Sequence, residues 1–205
     1  MPTYNKYTSE DYSIIVWEST ESIDYFEKEV FLTQEEKKYY SIIRNSSRRK
    51  EWLTVRYILQ KELNIKNTII YNKKGKPYIS DNHISITHSN NFVAVMISKW
   101  NCAIDIEKIS SRVSRVSHKA FSANEMQFAT DDELLTVLWC AKETAFKLAD
   151  TSNVDFIEDI QIFPFSPSQS GSLICEIRKP IPIKIKMYYE TIKNCKFVWT
   201  FNNKT

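Results

Sequence analysis

Residues 102–107 read Cys-Ala-Ile-Asp-Ile-Glu. In a strand, successive side chains point to opposite faces, so this run sets Ile104 and Ile106 on one side and Asp105 and Glu107 on the other. The isoleucines want a core. The two carboxylates repel each other, and solvent, a Lys or Arg partner, or a divalent cation must offset that repulsion. A solvated sheet face is the plain alternative, and the pattern alone leaves both readings open.

Helices and strands follow on either side of this run. Downstream, Leu134, Leu138, Ala141, Ala145 and Leu148 form one continuous apolar face on the clearest helix of the chain. Two capping-box patterns, Ser122 to Glu125 and Thr130 to Glu133, predict helix starts there. Beyond residue 155 the pattern turns to strands, DIQIF, SLICEI, IPIKIKMYY and CKFVWTF. Upstream, SIIVW (13–17) predicts a buried strand, and 20–43 predicts helix interrupted near Leu32-Thr33. A longer helix is expected from about Asn45 to Leu63, capped by Asn45, Ser46 or Ser47. Gly75-Lys76-Pro77 predicts a turn, and 84–87 with 92–98 a strand pair joined through 88–91. The sum is an α+β protein, with a boundary near 99–101 dividing residues 1–100 from 101–205.

Composition excludes several classes. The chain has 205 residues, and 28 Lys plus Arg against 25 Asp plus Glu leave a net charge of only +3. That is too mild for a surface built to hold nucleic acid or an anionic membrane. Gly75 and Gly171 are the only glycines, where ordinary usage of roughly 7% would give about 14. Loops that cradle phosphates on glycine backbone are therefore excluded. Cys102, Cys140, Cys175 and Cys195 are too scattered for a zinc site and predict free thiols in a reducing compartment. The first twenty residues lack the apolar core of a signal peptide, and no run is long enough to span a membrane. A cytoplasmic protein is expected.

A third carboxylate, Glu143, lies off the apolar stripe of the 134–148 helix, with Trp139 four residues before it and Lys147 four after. An exposed i,i+4 Glu–Lys pair is one reading of this arrangement. The other is convergence with Asp105 and Glu107 into an all-oxygen site of the kind that suits Mg²⁺ and substrate phosphates. Arg48, Arg49, Arg56, Lys76, His88 and Lys147 fit a polyphosphate ligand, although a basic helix is usually a solvated face and a lone histidine usually structural.

The order of these blocks resembles the 4′-phosphopantetheinyl transferases of the surfactin-synthetase type. RRKEWLTVR (48–56), GKPYI (75–79), ISITHS (84–89), AIDIEKI (103–109), FSANE (121–125) and LWCAKETAFKL (138–148) resemble that family's motifs in sequence order. The resemblance implies two similar α+β subdomains in one chain, a pseudo-dimer with coenzyme A in the cleft between them. It implies a cytosolic monomer that moves 4′-phosphopantetheine from coenzyme A to a serine of an apo acyl or peptidyl carrier protein, with Mg²⁺, releasing 3′,5′-ADP. Asp105, Glu107 and Glu143 would hold the metal. Glu143 would also take the serine proton, and Lys147 would contact a bridging phosphate. His88, Lys76 and Arg49 or Arg56 would bind the nucleotide end, while Trp139 and Lys142 support the helix.

The chain departs from the family pattern twice. Ala103 stands where the family has glycine, and the stretch after Lys147, Leu-Ala-Asp-Thr-Ser-Asn-Val, has none. These departures motivate an alternative, a homologue that binds coenzyme A or a carrier protein without turnover. A metal-dependent nuclease is disfavoured, because Glu107-Lys108 lacks the Glu-x-Lys spacing and the charge is mild.

Overall fold

The structure, a computed structural model, describes residues 4–151 and 153–202. The chain divides into two compact units, Met1–Lys99 and Trp100–Thr205.

In the first unit, strands β1 (Tyr4–Thr8), β2 (Tyr12–Glu18), β5 (His83–Ser89) and β6 (Phe92–Ser98) form an antiparallel sheet in the order β1-β2-β6-β5. Helices α1 (Ile23–Glu29), α2 (Gln34–Ile42) and α3 (Ser46–Tyr57) fall between β2 and β5 in the chain. The break expected near 32–33 is a capping box, in which Thr33 and Glu36 bond each other's backbone N–H. Asn45 caps α3 by accepting from the Arg48 N–H, and a π-helical stretch, Ile58–Glu62, extends it. Trp17, Val93, Val95 and Ile97 from the sheet pack with Phe26, Leu53, Ile58 and Leu59 from the helices. The short pair β3 (Ile70–Tyr71) and β4 (Pro77–Tyr78) flanks the turn at Gly75, whose φ of 82° suits a residue without Cβ. Strand β1 is an addition to the expected elements. Its sequence Tyr-Asn-Lys-Tyr-Thr has no apolar alternation because it is an edge strand bonded only to β2.

The second unit is an antiparallel sheet in the order β7-β11-β10-β9-β8. It comprises β7 (Asn101–Lys108), β8 (Ile160–Ile162), β9 (Ser170–Ile177), β10 (Ile183–Ile192) and β11 (Cys195–Asn202). Short helices α4 (Arg112–Val116) and α5 (Ala123–Phe128) lead to the long helix α6 (Asp132–Ala149). Leu134, Leu138, Ala141, Ala145 and Leu148 of α6 pack with Ala103, Leu173, Cys175, Met187 and Val198 of the sheet in one core. The Ser122–Glu125 capping box forms as expected. The start of α6 differs: Asp131, not Thr130, is its cap, accepting from the Leu134 N–H at 2.7 Å. All four cysteines are free and buried, and all lie in this unit. No helix among the described residues is long and apolar enough to cross a membrane.

Candidate active site

In the second unit, β7 and α6 supply the four expected site residues. Asp105 is opposite Val198 in the β7–β11 register, and Glu107 is opposite Lys196. Directly opposed residues share a face. Val198 belongs to the core built with α6, so Asp105 lies on the helix-facing side and is 5% exposed. That excludes the solvated-face reading for Asp105.

Lys147, one turn beyond Glu143 on α6, supplies the offset. Its Nζ donates to Asp105 Oδ1 at 2.8 Å and to the Ile104 carbonyl at 3.0 Å. The i,i+4 spacing made an exposed pair with Glu143 the plain expectation, yet the ammonium reaches across to the strand. Glu143 is half-buried, and its carboxyl is pushed up to about 7, first by burial, then by the charge of Asp105, with Glu107 adding and Lys147 opposing. The three carboxylates and the lysine therefore share one electrostatic neighbourhood. Cys140, three residues before Glu143, is buried, and its thiol is pushed well up by burial and by Asp105 and Glu107. It donates to the Lys196 carbonyl at 3.4 Å.

The donor set suits a hard divalent cation such as Mg²⁺. It consists of carboxylate oxygens, and such a cation commonly takes one or two carboxylates and leaves the other positions to water and phosphate. Among the described residues no three of His, Cys, Asp and Glu already form a cage. Asp105, with Glu107 on the same strand face, offers the one or two carboxylates that mode of binding uses.

A second network holds α6 in place. Lys142 is fully buried; its Nζ pairs with Glu125 Oε2 at 2.8 Å and donates to the Ile160 carbonyl at 2.8 Å and to the Phe156 carbonyl. Glu125 in turn accepts from the Ile162 N–H at 2.8 Å. This one ion pair ties α5, α6 and β8 together. Sequence reasoning gave Lys142 a supporting role but missed its partner Glu125, which the Phe-x-x-x-Glu segment already contained. Trp139 packs edge-on against Phe156, with ring centroids 5.8 Å apart.

The first unit holds the residues expected at a nucleotide end. His88 is on β5, its Nε2 3.2 Å from Arg48 Nη1 and 3.5 Å from Glu51. Arg49 pairs with Glu27 at 3.2 Å and lies over the Tyr40 ring. Arg56 is 4% exposed, paired with Glu36 at 3.0 Å and stacked on Trp52 at 3.2 Å. Lys76 lies in the turn, where its backbone N–H donates to Asn72. The arginine next to His88 is thus Arg48. Helix phase carried that signal, because residues 49, 52 and 56 fall on one stripe and the stripe of Trp52 faces the core.

Residues 101–196 match the sequence model of the 4′-phosphopantetheinyl transferase superfamily. This stretch runs from the start of β7 into β11, so it contains Asp105, Glu107, Glu143 and Lys147. The chain is also 30% identical over 145 residues to a protein named 4′-phosphopantetheinyl transferase gsp, from Aneurinibacillus migulanus. That alignment covers 66% of this chain and 60% of the relative's length.

Against this family, Ala103 has a physical role. Its methyl is fully buried in the core shared with α6, where a glycine would leave a gap. After Lys147, Asp150 forms the C-cap of α6 and takes the left-handed conformation at φ 52°.

Proposed function

We propose that the chain transfers 4′-phosphopantetheine from coenzyme A to a serine of an apo acyl or peptidyl carrier protein, releasing 3′,5′-ADP. The observation that carries this reading is the contact of Lys147 with the buried Asp105, with Glu143 one turn away on α6, inside the stretch that matches the superfamily. The reading places the protein in the cytoplasm as a monomer.

The serine oxygen forms a bond to the phosphorus that bears the pantetheine arm. The bond from that phosphorus to the oxygen of the adenosine 5′-phosphate breaks. Glu143 accepts the serine proton, directly or through water, the role of a positioned carboxylate base. Lys147 steadies the negative charge that builds on the departing oxygens. Asp105, Glu107 and Glu143 would hold Mg²⁺, which supplies charge neutralisation at the diphosphate. In the first unit, His88 with Arg48 is the pair best suited to an anionic group of the coenzyme, and Lys76 and Arg49 stand as further contacts. Arg56 is engaged by Glu36 and Trp52, and we assign it a packing role.

The test is intact-mass analysis of apo carrier proteins incubated with the protein, coenzyme A and Mg²⁺. The expected result is a gain of one phosphopantetheine, abolished by chelator and lowered about 10²–10⁴-fold in rate by Glu143→Gln. Coenzyme A binding without any gain, across acyl and peptidyl carriers, would establish the non-transferring alternative.

A further inference from the structure

We infer that Lys147 is a built-in counter-ion occupying the metal's electrostatic place at Asp105, released only when an anionic diphosphate arrives with the metal. The inference rests on the reading above, in which Asp105, Glu107 and Glu143 form the cation site.

The geometry is specific. Asp105 has a side chain only 7% exposed, and its Oδ1 accepts from Lys147 Nζ at 2.8 Å. The same ammonium donates to the Ile104 carbonyl at 3.0 Å, so β7 holds it at two points. Asp105 is buried and shares a strand face with Glu107, so it needs a cation beside it to offset the cost of burying its charge. Lys147 fills that need from within. A divalent cation approaching alone would meet a fixed positive charge and would have to compete with it for Asp105.

Lys147 leaves Asp105 when another anion is offered to it. Its side chain is 32% exposed and ends in a compact ammonium on a flexible four-carbon stem, so it can turn without disturbing α6. A diphosphate offers oxygens to which the ammonium can transfer, leaving Asp105 to the incoming metal. Metal and diphosphate therefore bind cooperatively, and the reciprocal effect on each affinity is set by Lys147.

The test measures Mn²⁺ binding by electron paramagnetic resonance on the purified protein, with and without coenzyme A. For the wild type, coenzyme A should tighten Mn²⁺ binding by about tenfold or more. Lys147→Met and Lys147→Gln should each bind Mn²⁺ alone several-fold more tightly than wild type, and coenzyme A should add little. Lys147→Arg, which keeps the charge, should retain the weak binding of wild type. A gain of affinity cannot come from a damaged fold, and the Gln variant keeps a hydrogen-bond donor for Asp105 if Met proves unstable. Mn²⁺ binding by both neutral variants at or below wild-type affinity overturns the inference while leaving the metal site intact. Failure of the wild type to bind Mn²⁺ even with coenzyme A overturns the site and the inference together.

Discussion

At Glu143, burial and the charges of Asp105 and Glu107 act in the same direction, and only Lys147 opposes them. The carboxyl rises from an ordinary 4.5 to about 7, so between those pH values the folded chain holds a proton that the unfolded chain releases. The stabilisation this proton confers is complete below about 4.5 and is lost as pH rises through about 7. In chelator, Glu143→Gln should therefore melt above wild type at pH 8, by on the order of 1 kcal/mol after allowance for solvent screening, and the gap should close at pH 4.5. Thermal melts across that range check it, and a gap independent of pH would refute it. Strand alternation and helix spacing made Asp105, Glu107, Glu143 and Lys147 legible in the sequence. The Lys147–Asp105 contact was not, since it depends on how α6 crosses β7, a long-range feature that no local spacing encodes. Arg48 beside His88 was hidden for a different reason: adjacent arginines on one helix differ only in phase, and the core-facing stripe claims Arg56.

Helix α6 holds the site through its ends and through Lys142. Because Lys142 and Glu125 are both buried, removing one charge strands the other in an apolar interior. Lys142→Met should cost about 3–5 kcal/mol in urea denaturation, and Glu125→Gln added to it should recover part of that loss. A cost below about 1 kcal/mol would show that the network is dispensable. At the other end, Asp150 sits at φ 52°, which aspartate tolerates and β-branched residues do not. Asp150→Val should lower stability by about 1–2 kcal/mol, whereas Asp150→Gly should stay within about 0.5 kcal/mol of wild type. The capping box at Ser122 was readable because its two hydrogen bonds involve residues three apart. The cap of α6 was misplaced by one position because Thr130 and Asp131 are both competent caps, and only the fold decides between them.

At the scale of the molecule, the alternation of helices and strands reads directly from hydrophobic period, while sheet order does not. In the second unit the last strand, β11, lies between β7 and β10 and supplies the partners of Asp105 and Glu107. Nothing local in CKFVWTF announces that position, which is fixed by long-range pairing. The placement of the cysteines has a further use. All four thiols lie beyond residue 100 and none is accessible, and burial raises Cys140 and Cys175 further from reactivity. Cys140 and Cys175 lie in the core packed under α6, so an alkylating reagent reaches them only when that core opens. Labelling of these two thiols, read by mass in native buffer, becomes a clock for that core. Saturating Mg²⁺ and coenzyme A together, at about 100 times their dissociation constants, should slow the clock about 100-fold. An unchanged rate would mean that neither ligand is held there. Cys140 and Cys175 thus form a natural reporter that keeps time on the core beneath the site and needs no engineered label.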